Sequence, residues 1–164
     1  MDYLFTPWRY SYVSADRPAA PCVLCDIGGT GAGRDEATFV VHRGSGCFVV
    51  LNIYPYNTGH VMVVPYVHAA RLGDVPADVR AELFDLAVRT ERILSDEYRP
   101  DGMNLGMNIG RFAGAGIADH LHLHLVPRWA ADTNFMTVSG ETRVLPEDLA
   151  RTWQRLHLAF GSSA

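Results

Sequence analysis

The stretch Asp119–Trp129, DHLHLHLVPRW, sets His120, His122 and His124 two residues apart, with Leu121, Leu123 and Leu125 between or beside them. Successive side chains of a β-strand point to opposite faces, so this spacing predicts three imidazoles on one face and three leucines on the other. Neighbouring histidines then lie roughly 6.5 Å apart along the strand. A helix at about 100° per residue would scatter both residue types around its circumference. Such a row admits two uses. Neutral imidazole is a common zinc ligand, and histidines at i and i+2 can share an ion. Alternatively, one imidazole attacks an electrophilic phosphorus while its neighbours fix its tautomer and supply hydrogen bonds.

Working outward, Thr38–His42 and Cys47–Tyr54 are β-branched and aromatic runs around the turn residues Arg43, Gly44, Ser45 and Gly46, a hairpin pattern. Pro55–Gly59 reads as a turn and His60–Pro65 as a third strand closed by proline. Ala77–Tyr98 carries Val79, Leu83, Leu86, Ala87, Ile93 and Leu94 at helical spacing after Pro76, and Pro100 with Gly102 stops it. Met103–Ile109 is the fourth strand, Gly110–Gly116 a glycine-rich turn, and the histidine stretch the fifth strand. After a loop over Ala130–Gly140, Leu149–Phe160 reads as a C-terminal helix led in by Pro146, Glu147 and Asp148. Hairpin connections with one long helix between strands 3 and 4 predict an α+β fold: a five-stranded antiparallel sheet carrying that helix and the C-terminal one.

A length of 164 residues suits a single domain, with residues 1–37 as an N-terminal arm in which Trp8, Tyr10 and Tyr12 pack on the body or on a partner subunit. Fourteen basic against 18 acidic residues give a net charge of −4, which argues against non-specific nucleic-acid binding. With 48% hydrophobic residues but no run long enough to span a bilayer, and no leader pattern at the N-terminus, a cytoplasmic protein without a membrane is expected. The run Asp26–Arg34, DIGGTGAGR, lacks the Lys-Ser/Thr of a phosphate loop and is expected to be a flexible loop. Of three cysteines, Cys47 sits in an apolar run and belongs in the core. Cys22 and Cys25 have spacing that fits metal or redox use.

The run His120, His122, His124 followed by Leu125-Val126-Pro127-Arg128 resembles the signature of the histidine triad (HIT) family of nucleotide hydrolases and transferases. The resemblance extends to NIYPYNTGHVMVVP at Asn52–Pro65 and to Asn108-x-Gly110, covering roughly residues 38–129. Pro7-Trp8-Arg9, Arg128-Trp129 and Asp132-x-Asn134-Phe135 are similar to the bacterial members that act as diadenosine tetraphosphate phosphorylases or ATP adenylyltransferases.

The resemblance implies an antiparallel sheet with a long helix, a homodimer whose sheets join, and His122 as nucleophile on the α-phosphorus of an adenine nucleotide or dinucleoside polyphosphate. It further implies that His60 orients the triad, that His120 and His124 contact nucleophile or phosphate, and that Asn52 and Asn108 touch ribose and phosphate. The acceptor is inorganic phosphate or water. Family members with a cysteine pair place zinc on it and on two histidines, here Cys22, Cys25, His68 and His120, a Cys₂His₂ set suited to structural zinc. One departure stands out: the usual Gly-Gln-Ser/Thr before the triad is replaced by Ala113–Asp119, without glutamine. Backbone N–H groups of Gly114, Ala115 and Gly116 are expected to hold phosphate instead. The alternatives are an adenosine phosphoramidate hydrolase, a catalytically weak nucleotide-binding protein, and a metalloenzyme with zinc on the three triad histidines.

Overall fold

A computed structural model of the chain describes residues 21–130, 132 and 147–162. The aromatic arm over residues 1–20 and most of the loop after Ala130, with Asn134 and Phe135, lie outside the described residues. Five strands, β1 (Val40–Arg43), β2 (Cys47–Leu51), β3 (Val61–Pro65), β4 (Gly102–Gly106) and β5 (Leu123–Arg128), form one antiparallel sheet in the order β1-β2-β3-β5-β4. The helices are α1 (Val23–Gly29), α2 (Asp35–Thr38), α3 (Ala77–Tyr98) and α4 (Leu149–Ser162).

Period-2 alternation gives the central strands two apolar faces. Val41, Cys47, Val49, Leu51, Val61, Val63, Leu123 and Leu125 face α3 and α4. From α3, Leu83, Leu86, Ala87, Ile93 and Leu94 meet them, and the helix ends where Arg99 takes a left-handed conformation (φ 46°) ahead of Pro100. Helix α4 contributes Leu156 and Phe160, one helical turn apart. Asp148 opens it by accepting the Arg151 N–H at 2.8 Å.

Among the described residues, the opposite face is covered at one end. There Val40, Phe48, Val50, Met62 and Val64 pack against Leu24 and Ile27 of α1 and against Ile117. Toward β4 the described residues leave this face exposed, and His124 lies there.

Several expected boundaries shift. Strand β5 begins at Leu123, because the β3 ladder starts at the Val63–Leu123 pair; His120–His122 lies before the ladder and is held by a bond from the Leu121 N–H to the Ala69 carbonyl (2.7 Å). Accordingly Leu121 packs with Ala69 and Val75, apart from Leu123 and Leu125. Strand β2 stops at Leu51, where the Asn52 Oδ1 accepts the Tyr54 N–H (2.9 Å) and turns the chain; β4 ends at Gly106, opposite His124. The expected flexible loop over Asp26–Arg34 is corrected: α1 runs through Gly29 and a 3-10 turn spans Ala32–Arg34. The reason is tertiary. Leu24 is buried on the sheet, and Arg43 ties the segment down through the Gly28 carbonyl (3.0 Å), the Thr30 hydroxyl (3.0 Å) and the Asp35 carboxylate (2.9 Å).

Candidate active site

The histidine row divides into two groups. His122 and His124 stay side by side, ring centroids 4.8 Å apart, and His60 from the start of β3 closes on His124 at 5.1 Å. His60 reaches it because Met62 pairs with His124 across the ladder, and residues two apart share a face. His120 turns away, and its ring meets His68 edge-on at 5.2 Å.

Hydrogen bonds assign the tautomers. The His122 Nδ1 lies 2.8 Å from the His120 carbonyl oxygen, which only accepts, so Nδ1 carries the proton and Nε2 keeps a lone pair. The Tyr56 backbone N–H donates to His60 Nδ1 (3.0 Å), which places the His60 proton on Nε2. That N–H donates to His124 Nδ1 at 2.9 Å, leaving the His124 proton on Nε2. Burial disfavours the cationic form throughout. It is the first cause that lowers His60 to about 3 and His124 to about 4, with neighbouring histidines adding to it, and it also pushes His122 down. The trio is therefore neutral near pH 7, with one basic nitrogen on His122 and one N–H donor on His124.

Beside His124 opens a cleft of about 470 Å³ whose walls include Tyr56, Asn57, Asn104 and Asn108. Its far end holds Arg128 and Asp132. Asp132 accepts Nε (2.5 Å) and the second terminal nitrogen (3.0 Å) of Arg128, while Asn104 Oδ1 accepts the other terminal nitrogen (2.9 Å).

Around His120, Cys22 Sγ lies 3.3 Å and Cys25 Sγ 3.4 Å from Nδ1, and Cys25 Sγ lies 3.2 Å from His68 Nδ1. The four donor atoms are all within 4.8 Å of one another. Tetrahedral zinc separates sulfur and nitrogen ligands by about 3.5 Å, so the set fits. His120 is also in the right tautomer: its Nε2–H donates to the Pro65 carbonyl (2.9 Å), which leaves Nδ1 as the lone pair facing the thiols.

Of the residues expected in the site, His60, His122 and His124 come together, Asn108 lines the cleft, and Cys22, Cys25, His68 and His120 form a second cluster. Asn52 lies at the rim of the first group, its Nδ2 3.5 Å from His60 Nε2. Gly114 ends a 3-10 turn at Arg111–Ala113 with φ 89°; neither it nor Ala115 and Gly116 lines the cleft. His42 stacks on Phe160 and His157 on Trp153, both away from the site. Asn57, Asn104 and Asp132 were not anticipated as cleft residues. Extending the period-2 row past His124 through Val126 reaches Arg128 of the cleft, but no spacing signal points to Asn57, Asn104 or Asp132.

The HIT domain family profile matches residues 34–131. The chain is 40% identical to AP-4-A phosphorylase of Mycobacterium tuberculosis over 163 aligned positions, covering 93% of this chain and 80% of that protein. It is 26% identical to the adenosine 5'-monophosphoramidase of Candida albicans over 80% of this chain and 93% of that one. The fold is similar to the crystal structure of a zinc-bound histidine triad family protein from Mycobacterium smegmatis, with a TM-score of 0.68 at 27% identity over 86% of this chain and 94% of that chain. No helix among the described residues is long and apolar enough to cross a membrane. With its profile matched over more than half its length and its imidazoles in this arrangement, the chain belongs to the HIT domain family and is a histidine triad enzyme.

Proposed function

We propose that the protein cleaves the α-phosphate linkage of adenine nucleotides, with diadenosine polyphosphates as substrates, through a nucleotide held covalently on His122. The observation that carries this reading is the bond from His122 Nδ1–H to the His120 carbonyl, which leaves Nε2 unprotonated beside the His124 donor. His122 Nε2 attacks the α-phosphorus, a P–N bond forms and the P–O bond to the leaving phosphate breaks. His124 Nε2–H gives its proton to the departing oxygen and later takes one from the acceptor, its tautomer kept by His60. Phosphate as acceptor yields ADP; water yields AMP. The similarity to the M. tuberculosis enzyme favours phosphate. The similarity to the C. albicans enzyme supports adenosine phosphoramidates as a second substrate class.

The Cys22, Cys25, His68 and His120 set is proposed to hold a structural zinc ion, which ties α1 to the segment before β5. A homodimer is proposed to join through the β4 edge, where Leu105 is 50% exposed. The first test is incubation with diadenosine tetraphosphate, with and without labelled phosphate, followed by mass spectrometry of protein quenched and kept at alkaline pH, where the P–N bond survives. The expected results are labelled ADP with ATP, an adenylyl group on His122, and a loss of at least about 10³-fold in His122→Ala. Unimpaired His122→Ala would sink the covalent reading.

A further inference from the structure

The cleft beside His124 has a polarity that the chemistry at His122 does not use. Among its lining residues Arg128 is the sole cation and Asp132 the sole anion. His124, Val126 and Arg128 alternate along β5, so they share the open face of the sheet, and Asn104 joins that face because it pairs with Val126. The four residues from His124 to Arg128 span about 13 Å of strand. At one end of this track lies the His124 N–H, the donor assigned above to the departing oxygen. At the other a guanidinium waits.

That guanidinium is pre-oriented. Asp132 takes the fork made by Nε and one terminal nitrogen, and Asn104 takes one N–H of the other. Asp132 is itself pinned by Asn57 Nδ2 at 3.0 Å and by the Trp129 N–H at 3.3 Å. Among the described residues, three of the five N–H groups an arginine carries are thus engaged, and one on each terminal nitrogen is left to bind an anion bidentately.

We propose that Arg128, held by Asp132 and Asn104, is the subsite for the distal phosphates of the leaving nucleotide, so that the cleft selects substrates whose phosphate chain extends well past the scissile bond. The inference rests on the reading of His122 as nucleophile with the leaving oxygen at His124. A polyphosphate runs along the track to the guanidinium. The amine that leaves a phosphoramidate is too short to reach it. Arg128 does not touch the reacting phosphorus; it gives binding energy to long substrates alone.

The test is equilibrium binding to metal-loaded, full-length protein carrying His122→Ala to prevent turnover, with diadenosine tetraphosphate and AMP as probes. Arg128→Gln on that background is expected to weaken diadenosine tetraphosphate about 10- to 100-fold, the worth of one charge-assisted bidentate contact, and AMP less than about twofold. Arg128→Lys keeps the charge but loses the fork, and is expected between the two; it is read in place of the glutamine variant if that variant fails to fold by circular dichroism. Equal weakening of both probes, or no weakening of the tetraphosphate, overturns the subsite. The underlying reading fails separately. If the unsubstituted protein forms no adenylyl adduct and its His122→Ala form binds no AMP, the function falls; if both occur without an Arg128-dependent advantage for the long probe, the subsite alone falls.

Discussion

His60 is the residue on which the protonation pattern turns. Its Nδ1 accepts a backbone N–H and its Nε2 donates to His124, a chain that only neutral rings can hold. Because burial and neighbouring imidazoles lower His60 to about 3 and His124 to about 4, the folded state disfavours protons that the unfolded chain binds near 6.5. Their contribution to stability is complete above pH 6.5 and declines as pH falls from there toward 4, by up to about 1.4 kcal/mol per pH unit for each histidine. Urea unfolding from pH 7.5 to 4.5 is expected to show this decline. The slope is expected to be shallower in His60→Phe, which removes one of the two groups.

Among the elements, the turn before β3 is the most demanding. Gly59 has φ +75°, and a Cβ there would stand 3.3 Å from Leu94, Pro127 and Tyr98. Gly59→Ala therefore combines a left-handed backbone with tight contacts on three sides. A loss of about 1–2 kcal/mol in denaturant unfolding is expected. Its neighbour is His60, so a fall in kcat is expected with it. Strand β5 teaches the complementary point. The alternation of histidine and leucine was legible as a strand, and Leu123, Leu125 and His124 behave as that predicts. His120 and His122 precede the ladder because their backbone meets Ala69 rather than β3, a contact between segments far apart in the chain.

For the whole molecule, the zinc reading links the N-terminal segment to the sheet. One zinc per chain is expected by atomic absorption, retained in His122→Ala and lost in Cys22→Ala. The Cys22 variant is expected to melt about 5–10 °C lower, because α1 loses its tie to the segment that carries His120. Zinc that instead followed His122 would point to a metal on the triad itself. Among the described residues the unequal cover of the sheet separates the two sites: α1 closes one end of this face and brings its cysteines to His120, while the β4–β5 end keeps its cleft.

Local spacing alone determined a good deal: the α+β class, the bounds Ala77–Tyr98 of the long helix, the burial of Cys47, and the strand that carries His124 between Leu123 and Leu125. Each follows from a side-chain period or a capping residue that acts over a few neighbours. Through its resemblance to known relatives, the sequence also led to the proposals of His122 as nucleophile and of a zinc site on Cys22, Cys25, His68 and His120, four residues that the structure brings together. Tertiary structure decided the rest. The helical course of Asp26–Arg34 depends on Arg43 and on burial of Leu24, and a glycine-rich run carries no local signal for either. Which imidazole nitrogen holds each proton depends on carbonyls and N–H groups brought in from other segments. The cleft exists because Asn57, Asn104, Arg128 and Asp132 converge from three parts of the chain, and no spacing within any one of them encodes that meeting.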